Sequence, residues 1–245
     1  MRTTIYAIAL LAIVVFAGVA PAQAILSTTF GTGMDQFLGA SVAPIGDLDG
    51  DGVPDLLVGA PENPNSGEYP SFIFTPPAST APTLGRVEVF SGALGGVIST
   101  IVGPSLGESF GHAVLSPGDL NGDGVPDVVV GAPTAPFDGF VHVFSGSSLT
   151  PLYAASSPPL VTGGACLGFT NAFSLYGYSL DSMGDVNGDG TPDFVVGAPV
   201  DPFGGQTQPQ CVVRSGIDGG FVLTACGPAL LPFAAGFDIV GGVWI

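Results

Sequence analysis

The sequence predicts an all-β protein, a β-propeller-type array of four-stranded antiparallel blades. Three observations carry that prediction. An Asp- and Gly-rich nine-residue loop recurs at Asp47, Asp119 and Asp185, 72 and 66 residues apart, and a period of this size marks stacked supersecondary units. β-branched and aromatic runs follow each loop, bounded by Gly, Pro, Asp and Ser clusters, which are strand signals. No stretch shows the 3.6-residue period of an amphipathic helix. The 39 Gly and 23 Pro among 245 residues are about a quarter of the chain, and they read as repeated turns rather than low complexity.

Each unit supplies its elements in the same order. Strand one is an aromatic-Gly piece: Phe37-Leu-Gly-Ala-Ser-Val, then Phe110-Gly-His-Ala-Val, then Tyr176-Gly-Tyr-Ser-Leu. The Asp loop follows. Strand two is Leu56–Val58, Val128–Val130 or Phe194–Val196, running into the Gly-Ala-Pro that ends at Pro61, Pro133 and Pro199. Strand three is Arg86–Phe90, Phe140–Phe144 or Cys211–Arg214, always followed by Ser-Gly (Ser91, Ser145, Ser215). Strand four is Val97–Val102 in the first unit and Phe221–Thr224 in the third, and is less clear in the second. The units span approximately 37–102, 110–160 and 176–226, and 233–245 reads as the start of a further repeat. About three blades are therefore expected, in a partial or open propeller, since closure takes at least roughly four. An open array leaves exposed edges, so self-association that closes the propeller is one expectation.

Residues 1–24 read as a signal peptide, leaving 25–245 as the mature chain. Arg2 is a short basic segment, Ile5–Ala20 an apolar run, and Ala22-Gln23-Ala24 a small-x-small cleavage site. No later segment is long and apolar enough to span a bilayer. The expected location is secreted, cell-surface or periplasmic. That setting permits disulfides. Folding the hairpin about Asp218 and Gly219 sets Cys211 opposite Cys226, so a cross-strand bridge is expected, with Cys166 left over.

The formal charge is −17, from 20 acidic residues against three Arg and no Lys. Three Arg cannot make the basic stripe a nucleic acid requires, nor hold an anionic membrane surface. Half of the acids lie in the three loops. Loop one offers Asp47, Asp49, Asp51, the Val53 carbonyl and Asp55; loop two offers Asp119, Asn121, Asp123, the Val125 carbonyl and Asp127; loop three offers Asp185, Asn187, Asp189, the Thr191 carbonyl and Asp193. Glycines between the ligands let the backbone wrap an ion. About six oxygen ligands suit Ca²⁺ better than Mg²⁺, which keeps more water, and disfavour zinc or copper. About three Ca²⁺ ions are expected. An EF-hand would need an acid at position twelve and flanking helices; here that position is Val58, Val130 or Val196.

These residues resemble the FG-GAP repeat family, whose best-known members are the integrin α-subunit β-propeller heads. The resemblance implies a binding or adhesion module with structural calcium in each blade. The family's propellers usually have about seven blades, within the four to eight typical of the fold. Antiparallel strand order puts the Asp loops and Ser-Gly turns on one face. The insertions, Glu62 to Leu84 and about Ala154 to Ser174, fall on the other, where a protein or glycan ligand is expected. Two alternatives stand beside adhesion: an accessory fragment of a larger secreted enzyme, and a purely structural surface protein. No catalytic set is read. His112 and His142 read as strand histidines, and Arg86 and Arg214 as strand-edge surface residues.

Overall fold

The computed structural model describes residues 37–61, 84–135, 139–157, 174–199 and 210–226. Among them are twelve strands and no helix. Blade one is β1 (Ser41–Pro44), β2 (Leu56–Ala60), β3 (Arg86–Phe90) and β4 (Val97–Val102). Blade two is β5 (Ala113–Leu115), β6 (Val128–Ala132), β7 (Phe140–Phe144) and β8 (Pro151–Ser156). Blade three is β9 (Ser179–Gly184), β10 (Asp193–Ala198), β11 (Gln210–Arg214) and β12 (Phe221–Cys226). Each blade is a four-stranded sheet in chain order, antiparallel throughout. The array is open, as expected. The signal peptide, both insertions except their outermost residues, and 233–245 lie outside the described residues.

Three sequence expectations need correction. Only the last residues of the aromatic-Gly piece lie in strand one; its aromatic and glycine form the turn before it. Gly39, Gly111 and Gly177 sit at φ of 93°, 92° and 93°, in the left-handed region that a side chain resists. Their amides cap strand two: Gly39 donates to the Gly59 carbonyl, Gly111 to Gly131, Gly177 to Gly197. Register equates Ser41 with Ala113 and Ser179. So Leu38, rather than Phe37, matches Phe110 and Tyr176. Second, strand four of blade two, less clear in the sequence, is Pro151–Ser156, with a bulge at Val143/Phe144 of its partner. Its weak β-propensity is overridden by pairing along the whole of β7.

Third, the Cys211–Cys226 bridge is not formed, and Cys211 is a free, exposed cysteine. Cys211 lies opposite Ala225, and Cys226 opposite Gln210. The turn closes between Ser215 and Gly220, so the hairpin centre falls earlier than Asp218/Gly219. A bulge at Val213/Arg214 shifts the register without bringing the two cysteines opposite each other. Cys166 lies outside the described residues.

Side chains alternate across each sheet, so every blade presents two apolar faces. One core layer lies between blades one and two. It holds Leu57, Val87, Val89 and Ile101 from the first, and Phe110, Val128, Val130 and Phe144 from the second. The other layer sets Val129, Val141 and Val143 of blade two against Tyr176, Phe194, Val196 and Val212 of blade three. Phe110 and Tyr176 are wholly buried, each contributing about 1.5–3 kcal/mol by transfer from water. Phe110 meets Phe144 edge-to-face at 5.9 Å. Glycine makes room for these knobs. A side chain at Gly59 would collide with the Gly111 carbonyl, one at Gly85 with the Phe110 backbone, and one at Gly139 with the Tyr176 backbone. Glycines in the strands or just before them therefore mark close backbone approach between blades.

Candidate metal centres in the Asp loops

Each loop joins the first two strands of its blade and is built around the carboxylate at its first position. In loop one, Asp47 Oδ1 accepts the amides of Gly50 at 2.7 Å and Asp51 at 3.1 Å, and Oδ2 accepts Gly52 at 2.8 Å. Gly50 and Gly52 hold φ of 80° and 87°, which turns successive amides toward one carboxylate. Asp119 and Asp185 repeat the pattern with Gly122, Asp123 and Gly124, and with Gly188, Asp189 and Gly190. The Gly52 amide above all holds the Asp47 carboxyl below its ordinary range.

The carboxylates converge. Oxygens of Asp47, Asp49 and Asp55 all lie within 4.8 Å of one another, so this acidic cluster can hold a metal ion. Their donor set is hard oxygen throughout, which matches an alkaline-earth cation and not zinc. At the third position Asn121 and Asn187 donate to Asp123 and Asp189 Oδ2 at 3.0 and 2.7 Å. Their Oδ1 atoms accept the Asp123 and Asp189 amides. The seventh-position residues Val53, Val125 and Thr191 donate their amides to Oδ1 of Asp51, Asp123 and Asp189 at 2.8–2.9 Å.

The ninth-position aspartates differ from the rest. Asp55, Asp127 and Asp193 are buried, at 3%, 0% and 0% exposure. Asp127 Oδ2 accepts Leu120 and Asn121 amides at 2.7 and 3.1 Å, and its Oδ1 accepts Gly146 at 2.8 Å. Asp193 binds Val186, Asn187 and Gly216 likewise. Asp55 binds Leu48 and Gly92. Burial pushes the Asp127 carboxyl up, and the Asp123 charge adds to that against the amide bonds.

These bonds explain a repeat whose role the sequence reading left open. The Ser-Gly after strand three is a clasp on the loop. Ser91, Ser145 and Ser215 donate to Oδ2 of Asp51, Asp123 and Asp189 at 3.2, 3.3 and 3.2 Å. Gly92, Gly146 and Gly216 donate to the buried ninth aspartate. A side chain on any of these glycines would strike the carbonyl of Pro54, Pro126 or Pro192. The loops and Ser-Gly turns do share one face. In blade two Ser147 adds a 2.7 Å bond to Asp123 Oδ2, the chief reason that carboxyl is held low.

The loops also touch their neighbours. A Cβ on Gly46 would lie 3.0 Å from the Pro126 ring of loop two, and one on Gly118 would lie 3.1 Å from Pro192 of loop three. Leu48 and Leu120, at the second position, plug the two interblade cores.

Arg214 is not a surface residue, as expected from sequence, but is buried at 4% exposure. It donates to the Tyr176 hydroxyl at 2.7 Å, to the Gly219 carbonyl at 2.8 Å and to the Ser156 carbonyl of blade two. Its guanidinium also lies 3.9 Å from the Phe221 ring centroid. Burial above all pushes the Tyr176 hydroxyl up to about 12. Arg86 pairs with Glu88 at 2.7 Å. His142 sits on β7 with Nε2 3.8 Å from Glu108, while His112 packs against Tyr178 with centroids 4.5 Å apart. Burial lowers both imidazoles. The structure does not stack the two histidines on each other; their ring partners are different residues.

An open array of four-stranded blades, each opening on an Asp-rich loop, defines a β-propeller-type repeat protein. The FG-GAP repeat family model matches residues 38–70, 110–144 and 176–208. The chain belongs to the FG-GAP repeat proteins. It is 34% identical over 197 residues to integrin alpha pat-2 of Caenorhabditis elegans, covering 74% of this chain and 16% of that protein. It is 34% identical over 160 residues to human integrin alpha-7, covering 64% of this chain and 12% of that one. The chain thus spans less than a fifth of the curated relatives it matches. Among solved structures, a Bacillus licheniformis rhamnogalacturonan lyase superposes with a TM-score of 0.43 at 16% identity, covering 76% of this chain and 34% of that one.

Proposed function

We propose that the chain is an exported, calcium-binding adhesion or recognition module, with Ca²⁺ stabilising each blade. The observation that carries the reading is the convergence of Asp47, Asp49 and Asp55 oxygens within 4.8 Å, on a loop whose hydrogen bonds recur in all three blades. Carboxylates held this close repel one another unless a cation sits among them. Asp47, Asp49, Asp51, Asp55 and the Val53 carbonyl would hold the ion of loop one, and the matching residues those of loops two and three. When bound, the ion supplies positive charge and fixes the loop; the chain's own amides orient the carboxylates. The integrin α relatives support adhesion as the use of the scaffold. The ligand, a protein or glycan, is placed by this reading on the face opposite the Asp loops.

Calorimetric titration of chelator-stripped protein tests the metal reading. About three Ca²⁺ should bind, in the roughly 10⁻⁴–10⁻³ M range of extracellular calcium modules, with Mg²⁺ a poor competitor. A melting curve unchanged between excess Ca²⁺ and excess chelator would overturn it. Deleting residues 65–82 tests the ligand face. Binding to an immobilised protein or glycan array should be lost while calcium-dependent melting persists; retained binding would move the ligand site elsewhere.

A further inference from the structure

We propose that Asn121 and Asn187 are self-modifying sites, each able to lose ammonia through a cyclic imide, and that the first aspartate of the loop keeps this reaction shut. Both precede a glycine, as Asn121-Gly122 and Asn187-Gly188, and no other asparagine of the chain does. Glycine matters because it bears no Cβ to shield its amide nitrogen. That nitrogen can close a five-membered ring on the side-chain carbon of the preceding asparagine.

The step is intramolecular and needs only water. The Gly122 N–H gives its proton to water, and the nitrogen bonds to Asn121 Cγ. The Cγ–Nδ2 bond breaks, and Nδ2 leaves as ammonia with the returned proton. Water then adds to one of the two ring carbonyls and opens the ring. One product is an aspartyl residue, the other its β-linked isoaspartyl isomer. One water enters and one ammonia leaves; nothing is oxidised or reduced.

The site is open to solvent and closed by hydrogen bonds. Asn121, Gly122, Asn187 and Gly188 are all exposed. Among the described residues, nothing beyond the chain neighbours lies within 4 Å of a Cβ placed on Gly122 or Gly188. The nucleophile itself is occupied. Gly122 donates to Asp119 Oδ1 at 2.7 Å, and Gly188 to Asp185 Oδ1 at 2.7 Å. A bond to a carboxylate at that distance is charge-assisted, and it stabilises the proton that ring closure must remove. The side chain is held as well. Asn121 Oδ1 accepts the Asp123 amide at 2.9 Å, and its Nδ2 donates to Asp123 Oδ2 at 3.0 Å. Asn187 repeats both bonds with Asp189, at 2.8 and 2.7 Å. These bonds commit the side-chain amide to the residue two positions on, away from the adjacent nitrogen. Ring closure therefore waits for local opening of the loop. The gate is made of the chain's own bonds and operates without an ion.

Loop one shows what the aspartyl product looks like. It carries Asp49-Gly50 where the others carry Asn-Gly, and an aspartyl residue at position 121 would make loop two identical to it through all nine positions. Asp49 Oδ1 accepts the Asp51 amide at 3.1 Å, as Asn121 Oδ1 accepts that of Asp123. Modification thus adds a carboxylate to the loop with its turn retained, while the isoaspartyl branch lengthens the backbone and breaks the turn.

Timed incubation of the full chain at mildly alkaline pH tests this, in excess chelator below its melting temperature and, in parallel, in concentrated urea. Peptide mass and released ammonia are the readouts. In urea both asparagines should convert. In the folded chain both should convert at least roughly tenfold more slowly, the factor set by one charge-assisted bond. Aspartyl and isoaspartyl peptides should appear together, the signature of the ring. Asp119→Ala removes the acceptor of the Gly122 amide. It should bring Asn121 toward its urea rate while Asn187 keeps the wild-type rate, and Asp185→Ala should do the reverse. Where Asp119→Ala speeds both sites by unfolding the chain, Asp119→Asn decides. A faster Asn121 beside an unchanged Asn187 supports the gate, and no change at either overturns it. Equal rates in the folded and unfolded chain, no conversion in urea, or conversion without isoaspartyl product would also overturn the proposal.

Discussion

Substitution of Asp127 by Asn separates the scaffold role of the ninth loop position from its metal role, and the two roles predict opposite signs. The carboxylate accepts three backbone amides, Leu120, Asn121 and Gly146, and its side chain is wholly buried. Asparagine can keep its oxygen toward Leu120 and Asn121. Its amide nitrogen then faces the Gly146 N–H, donor against donor, so one charge-assisted bond is lost and a buried amide is stranded, at about 1.5–3 kcal/mol. The two surviving bonds become neutral and lose about 1 kcal/mol between them. Relief of the burial cost of the charge, the main cause of the raised Asp127 carboxyl, and of repulsion with Asp123 returns about 1 kcal/mol of this. The net expectation in excess chelator is a loss of about 1.5–3 kcal/mol, or roughly 3–12 °C in Tm for a chain of this size. Urea and thermal melts in chelator measure it; the same melts in saturating Ca²⁺ add the metal contribution by linkage. Were Asp127 only a ligand, removing its charge would leave the chelated protein unchanged or more stable. That result would refute the clasp.

The other predictions follow from single contacts. Gly146→Ala forces a methyl into the Pro126 carbonyl and should cost at least about 1–3 kcal/mol as overpacking, seen as a lower Tm with or without calcium. Arg214→Met leaves the Tyr176 hydroxyl and the Ser156 and Gly219 carbonyls without their donor, and should cost about 2–4 kcal/mol in urea melts. Burial depresses the His112 and His142 imidazoles, so the unfolded chain binds more protons, and stability should fall as pH drops below the ordinary histidine value of about 6.5. Tm measured at saturating Ca²⁺ from pH 7.5 down to 5.5 should decline, and His112→Gln with His142→Gln should flatten the slope.

The strands and loops were legible because their signals are local. Alternating runs such as Arg86–Phe90 and Phe140–Phe144 appear as β3 and β7 with the expected bounds, and the loop glycines take the positive φ their spacing implied. What stayed hidden depends on neighbours distant in sequence. Arg214 reads as an edge residue because nothing nearby in the chain accepts its charge, yet two of its hydrogen-bond acceptors, on Ser156 and Tyr176, lie far back in sequence. The Cys211–Cys226 bridge failed on register, which the turn and a bulge decide and the residue count alone does not. The Ser-Gly repeat was visible but mute, since its partners are the carboxylates of a loop two strands earlier.

That clasp changes what the metal is asked to do. A loop held only by its ion would collapse on chelation. Here the first and ninth aspartates are each held by backbone amides of the loop, the ninth also by the strand-three turn. The ligand frame is thus largely held by the chain's own amides. Its remaining strain is electrostatic, so cation charge should matter more to stability than loop ordering. A trivalent lanthanide, close to Ca²⁺ in size and oxygen preference, should therefore raise Tm above the calcium value at equal occupancy. Equal melting temperatures for the two ions at saturation would show instead that coordination geometry, and not charge, sets the metal's contribution.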